Sequence, residues 1–426
     1  MSIRGGPVFI LAMIGLIIIL AIKWGMGGDD DAEPIDFPDP VEQTSAPPAD
    51  IGPVEVTAPA NRKKTPLPAT SSPDLEQALA VLGGVVDQHA ADPANPWAVA
   101  HGVIARGESF TVSGEPAIPF LYKTYAEVTT VGEQRLVSFP RTTAAGVEVE
   151  PHTDLVLKAI TEVGADPHTV VHVHDEEFEL ADTWRHSLAT TYLDKESGDS
   201  SYDSPNDMPW GVQALAIWAP KGLRWTSFTG TEMTMDDMAK LMVHVLTSES
   251  DFMFRSMMAG QPFEKKRQGI LAYTCGGAHM LQGSIAVVAR GFGGDDEREK
   301  MRIQGQLMFY RFPVEIGIYE GAIKEHPEHK LILMSQQLKF TGHWLESVHK
   351  LLAAGLYEPN AVEQQTLNDA INVLISTTKE LKAMGAFDNL AEIDTQNHQL
   401  YLDLVGDSAH AVRGAELATG AQEFVY

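Results

Sequence analysis

A four-residue phrase recurs four times in this chain and constrains its architecture more than any other feature: small residue, histidine, any residue, aliphatic residue. It reads Ala100-His101-Gly102-Val103, Ala278-His279-Met280-Leu281, Gly342-His343-Trp344-Leu345 and Ala409-His410-Ala411-Val412. The copies fall in stretches that read as apolar helices, whose marker is apolar residues returning at three- and four-residue spacing. The same polar ring at the same place in several apolar helices predicts helices set about a common axis, with the imidazoles turned towards it.

Other polar residues share those faces. Cys275, His279 and Gln282 fall at i, i+4 and i+7; His343 and Glu346 at i and i+3; Asp403, Asp407 and His410 at i, i+4 and i+7. Such spacings stack side chains on one side of a helix. Turned inward, they would line a hollow with a thiol, imidazoles and carboxylates. An imidazole beside a carboxylate is suited to general acid/base work near neutral pH. His279, His343 and His410 are therefore the candidate acid/base groups, Glu346 and Asp407 the groups that orient them, and Cys275 a candidate nucleophile. The same set can bind a divalent metal, with Cys275, His279 and His343 as ligands, because thiolate and imidazole suit zinc. No H-E-x-x-H motif is present. His101, Trp210, Gln213, Gln282 and Trp344 complete the expected lining of a substrate site.

A purely structural role competes with each of these readings. Buried Asp and His at helix contacts often satisfy only each other, and Asp407 with His410 is such a candidate pair. For Trp210 the residue type favours core packing over a place on the inner face. Gly276 and Gly277, inside an expected helix from Gln268 to Arg290, would cost about 1 kcal/mol each relative to Ala, which points to close backbone packing there. His172 and His174 alternate in a run that reads as strand and would face one side; the run ends at an expected hairpin turn.

Helices are expected at Glu297–Lys324, Lys330–Ala354, Ala361–Met384 and Asn397–Glu416, punctuated by Gly and Pro. The first half reads instead as helix, short hairpin, helix, repeated at roughly 60-residue spacing. The fold class expected is mainly α: an α/α toroid or a stack of helical hairpins, with a few short β-hairpins in the first half.

Pro7 to Ile22 carries no charge, and with its Gly-rich and Trp24 flanks the stretch approaches the roughly 20 residues needed to cross a bilayer. We read residues 1–28 as a transmembrane anchor, with a cleaved signal peptide as the rival. Residues 29–73, rich in Pro, Ala and acidic side chains, read as a disordered linker, and residues 74–426 as the helical domain. A very short N-terminal tail before the span places that domain outside the cytoplasm, as in a single-pass periplasmic protein. The net charge of −27 argues against a nucleic-acid partner. The lipid bilayer and an envelope ligand or protein are the partners expected. Gly-rich phosphate loops with their Lys and G-x-S-x-G are absent, which disfavours kinase, P-loop and α/β-hydrolase chemistry.

The inward-histidine helices, Cys275-Gly-Gly-Ala-His279 and His343 resemble the α/α-toroid superfamily of terpenoid cyclases and protein prenyltransferases. The resemblance implies the architecture across Asp74 to about Glu416. It does not extend to the prenyltransferase zinc set, because Tyr273 stands where that family carries an Asp two residues before the Cys. The acidic signature of the cyclases is also missing. The function expected is a membrane-anchored domain whose concave face binds, and in an enzymatic version processes, an envelope glycan or peptide. A non-catalytic scaffold that binds a partner protein is the alternative.

Overall fold

The computed structural model describes residues 54–193, 200–265, 269–272 and 275–426. The expected anchor and residues 29–53 of the expected linker lie outside them. Among the described residues no helix is long and apolar enough to cross a membrane.

Described residues 54–73 correct the linker expectation. Strand β1 (Arg62–Lys63) forms an antiparallel pair close to the end of the chain, Arg62 opposite Val425 and Lys63 opposite Phe424. The Arg62 guanidinium donates to the Gly164 carbonyl at 2.8 Å, and the Ala69 N–H donates to the Ala418 carbonyl at 2.8 Å. Val56 and Thr65 are buried. Proline content excludes a helix here, but an extended strap whose backbone groups find partners on the body is still open to it. Arg62 and Lys63 stay exposed although they form this strand.

The body is mainly helical, with thirteen α-helices among the described residues. In chain order they are α1 (Pro73–Val85), α2 (Pro96–Arg106), α3 (Ala117–Tyr125), α4 (Leu155–Glu162), α5 (Leu180–Thr190), α6 (Met208–Trp218), α7 (Met235–Met258), α8 (Ala278–Ala289), α9 (Asp295–Glu325), α10 (Lys330–Ala353), α11 (Ala361–Ala383), α12 (Leu390–Gln396) and α13 (His398–Thr419). Their starts follow local chemistry. The Ser72 hydroxyl accepts the Leu75 N–H and the Asn95 side chain accepts the Ala98 N–H, each with Pro at the first helical position. Asn360 and Glu363 form a reciprocal capping box at α11.

Alternate helices form two layers. In the inner one, α2 touches α4, α4 touches α6, α6 touches α8, α8 touches α10, α10 touches α13, and α13 returns to α2. The outer helices cover these: α1 lies on α13 and α11, α3 on α2, α5 on α6, α7 on α8, α9 on α10 and α11 on α10. Inner helices are accordingly buried nearly all round; every residue of α6 is buried. Four hairpins fill the connections of the first half: β2 (Thr111–Val112) with β3 (Glu115–Pro116), β4 (Glu127–Val131) with β5 (Gln134–Ser138), β6 (Val170–Val173) with β7 (Glu176–Glu179), and β8 (Arg224–Thr226) with β9 (Glu232–Thr234). The last strand, β10 (Phe424–Val425), is the partner of β1.

The small residue of the recurrent phrase has a packing reason. A Cβ on Gly342 would stand 2.9 Å from the Ala411 Cα, and one on Gly414 would stand 2.7 Å from the Gly342 carbonyl oxygen. Helices α10 and α13 therefore meet backbone to backbone, which brings His343 and His410 together. The expected helix from Gln268 is corrected: it begins at Ala278, because Gly276 and Gly277 adopt φ of 57° and 77°. Those values are left-handed, where glycine bears no Cβ penalty, so the pair makes a turn and not a helix interior. His174 likewise occupies the β6–β7 turn with φ of 56°, so it does not share a strand face with His172.

Candidate functional site

All six inner helices direct polar side chains to one shared region. His101 comes from α2, Lys158 and Glu162 from α4, Trp210 and Gln213 from α6, His279 and Gln282 from α8, His343, Glu346 and Lys350 from α10, and His410 from α13. They form two connected groups.

The first is aromatic. The rings of His343 and His410 have centroids 3.9 Å apart, His279 and His343 4.8 Å, His279 and His410 5.7 Å, and His101 and His410 5.3 Å. Trp210 lies 4.3 Å from His279, and on its other side His152 stacks on it at 4.7 Å with the planes 5° apart. His101, His343 and His410 are buried, whereas His279 and His152 are partly exposed. Solvent therefore reaches the edge of the cluster but not its far wall.

The second group is ionic and buried. The Lys350 ammonium donates to Glu162, to Glu346 at 2.6 Å and to the Gln282 carbonyl oxygen at 3.1 Å. Gln213 donates to Glu162 at 3.0 Å, and Gln282 donates to Ser347 at 3.2 Å. Lys158 Nζ lies 2.7 Å from Glu162, out of line for a hydrogen bond, and 5.1 Å from the centre of the Trp210 ring. Burial pushes the Glu162 and Glu346 carboxyls up, but their cationic neighbours outweigh it. Lys158 and Lys350 leave Glu162 lowered; Lys350 and His410 leave Glu346 well below the carboxylate range.

The two groups join where His410 Nδ1 meets Glu346 at 2.7 Å. An ionised carboxylate only accepts, so His410 Nδ1 donates and Nε2 keeps the lone pair. His101 Nδ1 donates in the same way to the Trp97 carbonyl at 2.8 Å. Burial holds His101, His279 and His343 well below the usual histidine range, with neighbouring imidazoles adding to the effect. His410 is lowered by burial and partly restored by Glu346. The cluster is neutral imidazole at neutral pH, a state that can accept a proton or a cation.

The structure thus brings together His101, Trp210, His279, His343, Glu346 and His410 from the expected set. Gln213 and Gln282 join the ionic group, where each serves a charged or polar neighbour. Three expectations are corrected. Trp344 faces away from the cluster: it donates to the Met308 carbonyl at 2.9 Å and packs on Phe309 and Phe312. One step along a helix is about 100° of rotation, so the neighbour of an inward His343 cannot also point inward. Asp407 is not the partner of His410, which takes its carboxylate from Glu346. Asp407 instead lies 3.8 Å from Lys339, its Oδ2 has no hydrogen-bond partner among the described residues, and burial raises its carboxyl well above the usual range. Cys275 sits in the glycine turn before α8, and burial pushes its thiol up, which disfavours the nucleophilic thiolate.

Sequence reasoning missed Lys158, Glu162, Lys350 and His152. The first three carried a signal: Lys158 with Glu162 and Glu346 with Lys350 are oppositely charged pairs at i, i+4 inside otherwise apolar helices. His152 lies outside any helix and gave none.

The burial of neutral histidines has a pH consequence. Their folded values lie below the unfolded one near 6.5, so the unfolded chain binds more protons as pH falls through that window. Glu162 and Glu346, also lowered, add a loss below about pH 4.5. Asp154, raised to about 6, and Glu150 and Asp407, raised well above the usual carboxyl range by burial, act oppositely and give back a part as pH falls through the same window. With His186 lowered to about 4 and His349 to about 3, and His89 and His152 also lowered, all by burial, the lowered histidines outnumber the raised carboxyls. Thermal melts should show a melting temperature that falls continuously from pH 7.5 to 4.5; a flat profile would contradict neutral burial.

No protein-family model matches this chain, and no curated protein or solved structure matches it either. Its class is therefore defined by its own geometry: a double-layered helical domain with a histidine cluster at its centre.

Proposed function

We propose that the domain is an α/α toroid whose central histidine cluster binds, and by acid/base chemistry processes, a polar component of the cell envelope, a glycan or a peptide. The closed succession of six inner helices, each touching the next, supports the toroid. The observation that carries the functional reading is the meeting of His101, His279, His343 and His410, from four different helices, in one region with a partly exposed edge at His279. Four unrelated packing histidines would have no reason to converge. Neutral imidazoles anchored by Glu346 and a carbonyl are equipped to take a proton from a bound group. The uncharged run at 7–22 supports tethering to a bilayer, and the excess of acidic residues suits a neutral or cationic ligand better than an anionic one.

A scaffold role is the second reading, favoured by the near-complete burial of His101, His343 and His410, which suits groups that only satisfy one another. One assay separates the two. The full chain, in detergent or native membranes, is incubated with a panel of cell-wall glycan strands and muropeptides, and products are followed by mass spectrometry. We expect turnover that drops about 100-fold or more in His279→Gln, with the melting temperature held within a few degrees. Absence of turnover and of ligand binding across the panel leaves the scaffold.

A further inference from the structure

We propose that His279, His343 and His410 hold one divalent transition-metal ion, zinc by the chemistry of the donors. Each offers one ligand nitrogen, and the three nitrogens lie within 4.8 Å of one another. Among the described residues this is the one group of three or more His, Cys, Asp or Glu side chains close enough to share an ion.

A second, independent observation points the same way. His343 is 3 % exposed, and its Nδ1 has no hydrogen-bond partner among the described residues. A buried polar nitrogen left without a partner is costly, and metal coordination through that nitrogen is a way to recover the loss. The surroundings are those of a ligand set. His410 Nδ1 is held by Glu346 at 2.7 Å, leaving Nε2 free to coordinate, and Glu346 is itself held by Lys350 at 2.6 Å. A carboxylate behind a ligating histidine fixes its tautomer and ring plane. The three histidines come from α8, α10 and α13, so the donors stand on packed helices and not on loops.

The set differs from the sequence-derived one. His410 replaces Cys275, which the left-handed turn at Gly276 and Gly277 removes from the helix face. Three protein nitrogens with a remaining position is the pattern of a catalytic zinc and not of a closed structural one. Zinc–nitrogen bonds of about 2.0–2.1 Å place tetrahedral donors about 3.3 Å apart, so loading draws the widest pair together by up to about 1.5 Å. Partial exposure of His279, at the start of α8, makes it the ligand with room to move.

The inference rests on the same convergence that carries the proposed function, and in a loaded site the three ligating nitrogens would no longer accept protons, so its test avoids turnover. The full chain in detergent is stripped with a chelator and titrated with Co²⁺, and bound metal is counted by elemental analysis. The expected result is one ion per chain, a visible spectrum of nitrogen-ligated Co²⁺ with no thiolate charge-transfer band, displacement by Zn²⁺, and a melting temperature raised by several degrees on loading. His343→Ala and His410→Ala should each lose about 100-fold or more in affinity. Glu346→Gln, a positioning change, should lose about 10- to 100-fold, and Cys275→Ser should be unchanged. The wild-type spectrum needs no variant and so survives a misfolded one. No binding beyond aqueous Co²⁺, a thiolate band, or an affinity that follows Cys275 and ignores His343 overturns the proposal. Metal uptake without turnover or binding of any envelope fragment sinks the functional reading and leaves this one standing; turnover by a chain that takes up no metal does the reverse.

Discussion

Replacing Lys350 with Met should destabilise the domain by about 3–5 kcal/mol, the cost of stranding a buried charge. Lys350 is wholly buried and holds Glu162 and Glu346 at once, with Gln282 as its third acceptor. Methionine has similar length and no charge, so packing is nearly kept and the electrostatic loss is isolated. Lys158 remains beside Glu162, but Glu346 keeps only His410 as a hydrogen-bonded ion-pair partner, with Lys158 acting on it from farther away. One carboxyl must then take a proton or draw in water. Urea unfolding monitored by circular dichroism measures the difference, and adding Glu162→Gln to Lys350→Met should recover part of it. A loss under about 1 kcal/mol would mean the carboxylates are not ionised as described.

The second large effect is steric. Gly414→Val should cost about 3 kcal/mol or more, the upper range for overpacking. Its Cβ would meet the Gly342 carbonyl oxygen at 2.7 Å and the Glu346 backbone nitrogen at 2.9 Å. Both are backbone atoms of α10, so no side chain can swing aside; α10 and α13 must separate. That displacement also pulls His343 from His410. Gly317→Ala is the control, because a Cβ there meets nothing within 4 Å. It lies inside α9, where replacing Gly by Ala should stabilise by up to about 1 kcal/mol. Equal effects from the two substitutions would argue that helix propensity, not close approach, governs position 414.

The small-His-x-aliphatic phrase announced both the helices and the inward direction of their rings. Helical periodicity set α9, α10, α11 and α13 to within a few residues of their observed bounds. Short runs of strand-forming residues likewise announced the hairpins at β2–β3, β6–β7 and β8–β9, the first and third with Gly114 and Gly230 at their turns. Each of these is a local property: helix faces and turn residues are fixed by spacings of a few positions, which the chain displays directly.

What the chain could not display is which side chain meets which across helices. That Glu346 serves His410 in place of Asp407, that Lys350 spans from α10 to α4, and that the strap at 54–73 pairs with the last strand are contacts over 64, 188 and hundreds of positions. They depend on the rotation of each helix about its own axis and on the closeness permitted by Gly342 and Gly414. A rotation of one residue turned Trp344 from lining to core, and two left-handed glycines removed Cys275 from its helix. Local spacing determines what a helix can present; only packing against five other inner helices decided where each side chain points.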